Sequence, residues 1–519
     1  MLGRLEMGFA TIDYLIVFIY LVGVTIFGIV ISGKQRSTSD YFLGGHRIPW
    51  WAVLFSVVAT ETSTLTFISI PAVAYGGNLT FLQITFGYIL GRTAVSLFFL
   101  PRYYQGKLST AYQFLGIRFG DSMRNITSTT FMVTRLLADG VRLFASAIPI
   151  AIILRLAGVK ASDLNIYLIS ILMISVVTFI YTFLGGIRAV VWMDVVQMGI
   201  YVGGAILAAG IILSRLPQGL NGVLNLAGGA GKLKLFYSGF ELSFKDFIAQ
   251  PYTFLAALLG GGVFSIASHG TDQLIVQRLL TTRNLRSSQK ALIGSGFVVF
   301  LQFALFLFIG LLLFGFYAGQ TPSQLGLATT DEIFAKFIVE ELPTGLSGLI
   351  IAAILAAAMS TLSSSINSLA SATTMDIYKP YWGKNNPPEK DLKISRLMTI
   401  GWGTVITVSA FIFAFLQLRS SGERPAVVEL GLGIASYTYG GLLGVFVLGI
   451  FSKKLQRRDA VVGFFTGLIA LLFLVKGPIQ NLLPGEGLTI AWPLYTLVGG
   501  SIVIIAAHLC SFLHYGDAP

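Results

Sequence analysis

One cysteine in 519 residues, Cys510, excludes an intrachain disulfide, so the compartment cannot be read from redox chemistry. Charged residues make up only 11% of the chain, too few to solvate the surface of a soluble protein of this size. The four histidines, His46, His269, His508 and His514, are scattered without metal-ligand spacing, and no phosphate-binding loop of the Walker type occurs. A membrane-embedded metalloenzyme and an ATP-driven pump therefore both lack their chemistry. The net charge of +12 comes from Lys and Arg in short connections between apolar segments. That is a topology signal, not a nucleic-acid footprint.

Hydrophobic residues supply 55% of the chain and fall into about thirteen segments of roughly the length needed to cross a bilayer. The first runs from Ile12 to Ile31 and the last from Ile490 to Phe512. The first is followed, not preceded, by Lys34 and Arg36, and so reads as a retained helix rather than a cleaved leader. With the N-terminus outside, the connections starting at Ser32, Arg102, Gly185, Gln277, Thr374 and Ser452 are cytoplasmic and carry about twice the Lys and Arg of the opposite set. The expectation is an all-α polytopic membrane protein, N-out and C-in, forming a single transmembrane domain.

The most informative stretch is Ala356-Ala357-Ala358-Met359-Ser360-Thr361-Leu362-Ser363-Ser364-Ser365-Ile366-Asn367, a run of hydroxyls inside an apolar helix. Lipid offers such groups no hydrogen bonds. Ala357, Ser360, Thr361 and Ser364 share one helical face, an arrangement of neutral oxygens suited to a small monovalent cation. Small residues that allow close helix packing would give the same pattern.

Two spans look interrupted. The second contains Ala59-Thr60-Glu61-Thr62-Ser63-Thr64-Leu65-Thr66, with Pro71 and Gly76-Gly77 beyond it; the seventh contains Gly260-Gly261-Gly262 and then Ser265, Ser268, His269, Gly270, Thr271 and Asp272. Glycine runs loosen the backbone, so both helices are expected to unwind near mid-membrane. Interrupted helices at matching places in two halves mark an inverted-repeat transporter whose site lies where they meet. The first repeat would occupy 48–216 and the second 247–452, with 1–47 and 453–519 as additional helices.

The chain resembles the sodium/solute symporter family, which has the LeuT-type fold of five plus five inverted helices and includes bacterial sialic-acid, proline and sugar carriers. The motifs are Ser39-Asp40-Tyr41-Phe42-Leu43-Gly44-Gly45, Tyr181-Thr182-Phe183-Leu184-Gly185-Gly186, Trp192-Met193-Asp194-Val195-Val196-Gln197, Asp272-Gln273-Leu274-Ile275-Val276-Gln277-Arg278 and the Ala/Ser run, in order from about Asp40 to Phe451. The resemblance implies a sodium site made by the backbone oxygens of Ala59, Thr62 and Ala357 and the hydroxyls of Ser360 and Thr361. It implies a second sodium site at Asp194, Ser363 and Ser364, shared with Ser360; pairing of Asp194 with Arg188 or water is the alternative. At the position of Glu61, proline carriers have aspartate and the sialic-acid carrier threonine.

Solute candidates are Glu61, Ser63, Thr66, Gln83, Thr85, Arg135, Asp139, Arg142, Ser265, Ser268 and His269. Arg135, Asp139 and Arg142 fall on one face of the fourth span, where a structural ion-pair ladder explains them as well as solute contact does. Glu429 is a further intramembrane charge, and Tyr437 and Tyr439 can gate or simply pack. The expected function is sodium-coupled symport, by alternating access, of a small polar organic solute: a sugar, sugar acid, amino acid or carboxylate. The partners are Na⁺, solute and lipid bilayer, with no nucleic acid and no catalytic residues, in a monomer in the plasma (inner) membrane. Proton coupling through Glu61 or Asp194, or a transport-inactive sodium and solute sensor, are the alternatives.

Overall fold

The computed structural model describes residues 10–156, 159–327, 329–419, 427–475 and 488–515; the side chains of Glu429 and His514 lie outside that description. Among the described residues the regular structure is helical. The helices that matter here are α1 (Thr11–Ser32), α2 (Trp50–Glu61), α3 (Thr64–Gly76), α4 (Thr80–Gln105), α5 (Asp121–Leu156), α6 (Asp163–Arg215) and α7 (Ala256–Gly270). They continue as α8 (Gln273–Leu280), α9 (Leu285–Phe316), α10 (Leu346–Tyr381), α11 (Pro388–Arg419), α12 (Val427–Phe451), α13 (Arg457–Leu474) and α14 (Tyr495–Tyr515). The apolar segments read from the sequence overlap these helices, the second and the seventh each running over two of them. Among the described residues seven of them, and an eighth if α2 and α3 count as one bent span, are long and apolar enough to cross a bilayer.

α6 carries two of the expected segments in one run of 53 residues, about 80 Å at the helical rise and far beyond one bilayer crossing. It is interrupted at Gly186, whose φ of +55° and ψ of −155° leave the helix. A side chain is strained at that φ, and a Cβ there would sit 2.5 Å from the Tyr41 carbonyl. The expected connection at Gly185 is thus a kink. The core element is α10, whose span is almost wholly buried and which packs along α6.

The expected break in the second span is present. α2 ends at Glu61 because Thr62 (ψ 103°) and Ser63 (ψ 171°) leave the helical region, and α3 restarts behind a capping box of Ser63 and Thr66. The two pieces are bent by 62°. On the near side of the break Thr60 and Thr62 turn their hydroxyls back onto the Ser56 and Val58 carbonyls, at 2.7 and 2.9 Å, bonds that bend a helix slightly.

The seventh span differs from its expectation. Gly260-Gly261-Gly262 does not unwind; it joins a π-helical turn to a continuous helix, and the break comes ten residues later, at Thr271 and Asp272. The glycines serve close packing instead. α4 crosses α7 so tightly that a Cβ on Gly87 would lie 2.5 Å from the Ala257 carbonyl and 2.7 Å from Gly262 N, and a Cβ on Gly260 would meet Pro493 at 2.9 Å.

Candidate functional site

The break and α10 run side by side. Thr60 Oγ1 lies 3.3 Å from Ser364 Oγ, and Thr64 donates to the Ile354 carbonyl at 3.3 Å. Around these ties Ala59, Thr62, Ala357, Ser360 and Thr361 are all buried. The break removes the usual partner of the Ala59 carbonyl, because Ser63 N–H turns to Thr66 Oγ1 at 3.4 Å. Thr62 spends its hydroxyl elsewhere, donating to Val58 O and accepting from Gln302 Nε2 at 2.6 Å, which leaves its carbonyl as the group to offer. Thr361 Oγ1 lies 3.2 Å from Ala357 O, so two α10 oxygens are adjacent on that face.

Asp194 on α6 ties the same helices from behind. It accepts from Ser56 at 2.5 Å and Ser360 at 2.6 Å, and Arg278 Nη2 approaches it at 3.3 Å. Arg278 also donates from Nε to Ser56 Oγ at 2.9 Å, from Nη1 to Leu274 O at 2.6 Å and from Nη2 to Ser364 Oγ. Both the aspartate and the guanidinium are fully buried. A buried charge needs such a partner, and this pair is complete.

Beyond the break a cavity of about 240 Å³ extends toward Val73, Tyr252 and Trp492. On one wall Glu61 receives two bonds from Arg92 Nη2, at 2.6 and 2.7 Å, and meets His269 Nε2. Arg92 is braced on Ser295 at 2.7 Å, while His269 Nδ1 lies 3.0 Å from the Ser265 carbonyl and 2.9 Å from Ser268 Oγ. On another wall Arg135 binds Asp272 and donates to Tyr439 OH at 2.6 Å, which in turn donates to Asp272 at 2.6 Å. Asp139 stands 3.7 Å from Arg135 and 3.5 Å from Arg142. Aromatic rings close the space: Phe264 packs edge-on against Trp492 at 5.6 Å and lies 5.6 Å from Tyr439.

A buried oxygen cluster at a broken helix, next to a mixed aromatic and polar cavity, is the arrangement of an ion-coupled carrier. The sodium:solute symporter family model matches residues 41–467. The chain belongs to the sodium:solute symporter family. It is 31% identical to the sodium/sialic acid symporter of Proteus mirabilis (strain HI4320) over 96% of this chain and 94% of the relative. It is likewise 31% identical to that of Aliivibrio fischeri (strain ATCC 700601 / ES114), over 96% and 93%. A solved structure of a Na⁺-coupled sialic acid symporter, substrate-bound and outward-open, superposes with a TM-score of 0.83 at 31% identity, covering 98% of this chain and 99% of that one. The fold is therefore LeuT-type, and the protein is a multi-pass membrane transporter coupling sodium to a small polar solute, not an enzyme.

In this symporter Glu61, Ser63, Thr66, Arg135, Arg142, Ser268 and His269 line the cavity. Gln83, Thr85, Asp139 and Ser265 do not. Gln83 clamps the connection above, donating to Tyr252 O at 2.8 Å and accepting from Tyr237 N at 3.3 Å. Thr85 and Ser265 bond to the Leu82 and Tyr88 carbonyls, and Asp139 sits behind the two arginines. The arginine ladder on α5 thus exists, but its strongest member, Arg135, reaches to Asp272 at the break between α7 and α8. Tyr439 is part of the cavity wall, whereas Tyr437 packs against Tyr495, ring centroids 5.7 Å apart. Arg92, Ser56, Gln302 and Trp492 lie in no motif read from the sequence, and Arg278 only closes the motif that starts at Asp272. For the two arginines there was a signal: a guanidinium in an apolar helix requires a buried acid.

Proposed function

We propose that this symporter imports an amphipathic organic anion, a sugar acid or another carboxylate, together with sodium. Charge balance carries the reading. Around the break and the cavity four carboxylates, Glu61, Asp139, Asp194 and Asp272, meet four arginines, Arg92, Arg142, Arg278 and Arg135. The carrier core is neutral before sodium arrives, so a bound Na⁺ leaves one uncompensated positive charge in a low-dielectric interior. An anionic solute cancels it: opposite unit charges about 8 Å apart attract by about 2 kcal/mol at an effective dielectric near 20. Ion and solute then strengthen each other reciprocally. Arg142 is the arginine with donors to spare, since its one ion-pair contact is at 3.5 Å and its side chain is 21% exposed on the cavity wall.

Sodium binds between the two repeats at Ala59, Thr62, Ala357, Ser360 and Thr361, tying the break to α10 and ordering the cavity wall beside it. Rocking of the repeats about this tie exposes ion and solute to the other side, the chain crossing thirteen times, N-out and C-in, as a monomer. At Asp194, Ser360, Ser363 and Ser364 the resident cation is Arg278, so a second sodium binds only when Nη2 leaves Ser364. Stoichiometry decides the driving force. One sodium with a monoanion moves no net charge and gains only about 1.4 kcal/mol per tenfold sodium gradient. A second sodium would add that again plus about 2.3 kcal/mol per 100 mV.

The test is thermal unfolding and uptake in sodium or potassium, with sialic acid, the solute named for the relatives, among a panel of carboxylates and their neutral analogues. Sodium should raise the melting temperature, a carboxylate should raise it further, and Ser360→Ala should abolish both shifts. Arg142→Gln should keep the sodium shift and lose the solute shift. A protein indifferent to sodium whose uptake follows pH would sink the reading in favour of proton coupling, sodium binding without uptake would make it a sensor, and preference for neutral analogues would remove the anion.

A further inference from the structure

Away from the transport path, unpaired positive charge gathers where the α1–α2 connection, the Gly186 kink of α6 and the start of α11 meet. Two clefts there, of about 740 and 450 Å³, share Gln35 as a common wall. Arg36, Lys393 and Arg396 stand in the first, and Lys34, Arg47 and Arg188 in the second. All are exposed except Arg396, which is half-buried. Asp40 and Glu389 also lie in these linings, yet among the described residues none of the six cationic side-chain groups comes within 4.0 Å of a carboxylate, Asp40 accepting instead from the Arg36 backbone N–H at 3.0 Å. Arg396 makes one side-chain bond, from Nη2 to Gln35 Oε1 at 3.2 Å, and its buried Nε has no partner. The contrast with the transport core, where every arginine has its acid, is what asks for a ligand.

The surroundings identify its chemistry. Leu397 and Ile400 line the first cleft and are 51% and 45% exposed, an apolar flank that water does not favour. Trp192 lines the second and packs edge-on against Trp51 at 5.3 Å, with Trp50 and Trp51 both exposed beside it. Indole rings of this kind concentrate at the level of lipid headgroups. A ligand here must offer negative charge at headgroup depth and hydrocarbon alongside. Basic clefts between membrane helices meet that description for acidic lipids.

We propose that these joined clefts bind the phosphodiester headgroup of an anionic phospholipid, its acyl chains lying over Leu397 and Ile400. The headgroup would bridge α6 of the first repeat and α11 of the second beside the Gly186 kink. The proposal is independent of the solute and ion sites.

The experiment is native mass spectrometry and thermal unfolding of the purified full chain with phosphatidylglycerol or phosphatidylcholine added. Phosphatidylglycerol should remain bound and raise the melting temperature, and phosphatidylcholine should not. The triple variant Arg36→Gln, Lys393→Gln, Arg396→Gln should lose roughly tenfold or more of the retained lipid. Lys453→Gln with Lys454→Gln, basic residues outside both clefts, should retain it. If the triple variant does not elute as the wild type does on gel filtration, the exposed pair Arg36→Gln and Lys393→Gln replaces it, with a smaller loss expected. Equal binding of phosphatidylcholine, or undiminished binding by the variants, overturns the proposal. So does competition by glycerol phosphate at the same concentration as the lipid, which would make the clefts a site for a free anion.

Discussion

Between Glu61 and Thr64 the backbone leaves the helix with side-chain hydroxyls as its main caps, whereas between Gly270 and Gln273 an ion pair fills the corresponding gap. At the first break Ser63 and Thr66 cap each other and the Ala59 carbonyl loses its helical donor. At the second, Tyr103 takes the Gly270 carbonyl, Asp272 caps Leu274 N at 2.8 Å, and Arg135 and Tyr439 hold the same carboxylate. The first break leaves the Ala59 carbonyl without its helical donor; the second is engaged in ties to α4, α5 and α12. Two broken spans thus share a geometry without sharing the kind of partner that fills the gap. Under the proposed function the bare break is the place for sodium and the crosslinked one a fixed wall for the solute.

If that division is right, the second break should be the costlier to disturb. Asp272→Asn leaves Arg135 charged and buried, with Tyr439 OH beside it and, among the described residues, Asp139 at 3.7 Å as its remaining acid, and removing one partner of a buried pair costs about 3–5 kcal/mol. The expected result is a large fall in melting temperature with or without sodium. Gly87→Ala should come next, since its Cβ would meet backbone atoms of α7 at 2.5 and 2.7 Å; overpacking of this kind costs about 1–3 kcal/mol, read by the same unfolding curve. Thr64→Val should have the smallest effect on the fold, about 1 kcal/mol for one lost bond to Ile354 O. Its effect should nevertheless show in the sodium dependence, because it loosens the break against α10. Equal sodium dependence in Thr64→Val and wild type, alongside a sodium effect in Asp272→Asn, would reverse the roles assigned to the two breaks.

The sites differ in how far the sequence revealed them. Ser360 and Thr361 stand out because hydroxyls on one face of an apolar helix have no use in lipid, and the structure buries both beside the break, while the polar run from Thr60 to Thr66 marks the distorted helix. Gly260-Gly261-Gly262 misled, because glycine permits both an unwound backbone and a close crossing. Which one occurs depends on whether another helix arrives, and here α4 does, through Gly87. The partners of Asp194 and Glu61 were unreadable as pairs. Arg278 and Arg92 advertise a need for some acid, but a local pattern cannot say which of four it will be. Trp492 gave no sign at all, since it reaches the cavity from a segment more than two hundred residues along the chain from His269.

Composition and periodicity by themselves determined a helical membrane protein, the positions of its apolar segments and the two helices rich in spare oxygens, because these follow from neighbours along one chain and from the absence of water in lipid. The tertiary structure alone decided which acid meets which arginine, that the glycines of α7 pack rather than unwind, and which polar residues face the cavity. Those outcomes rest on contacts between helices, where Coulomb attraction and steric fit act at a few ångströms between residues as far apart in the chain as Arg135 and Asp272.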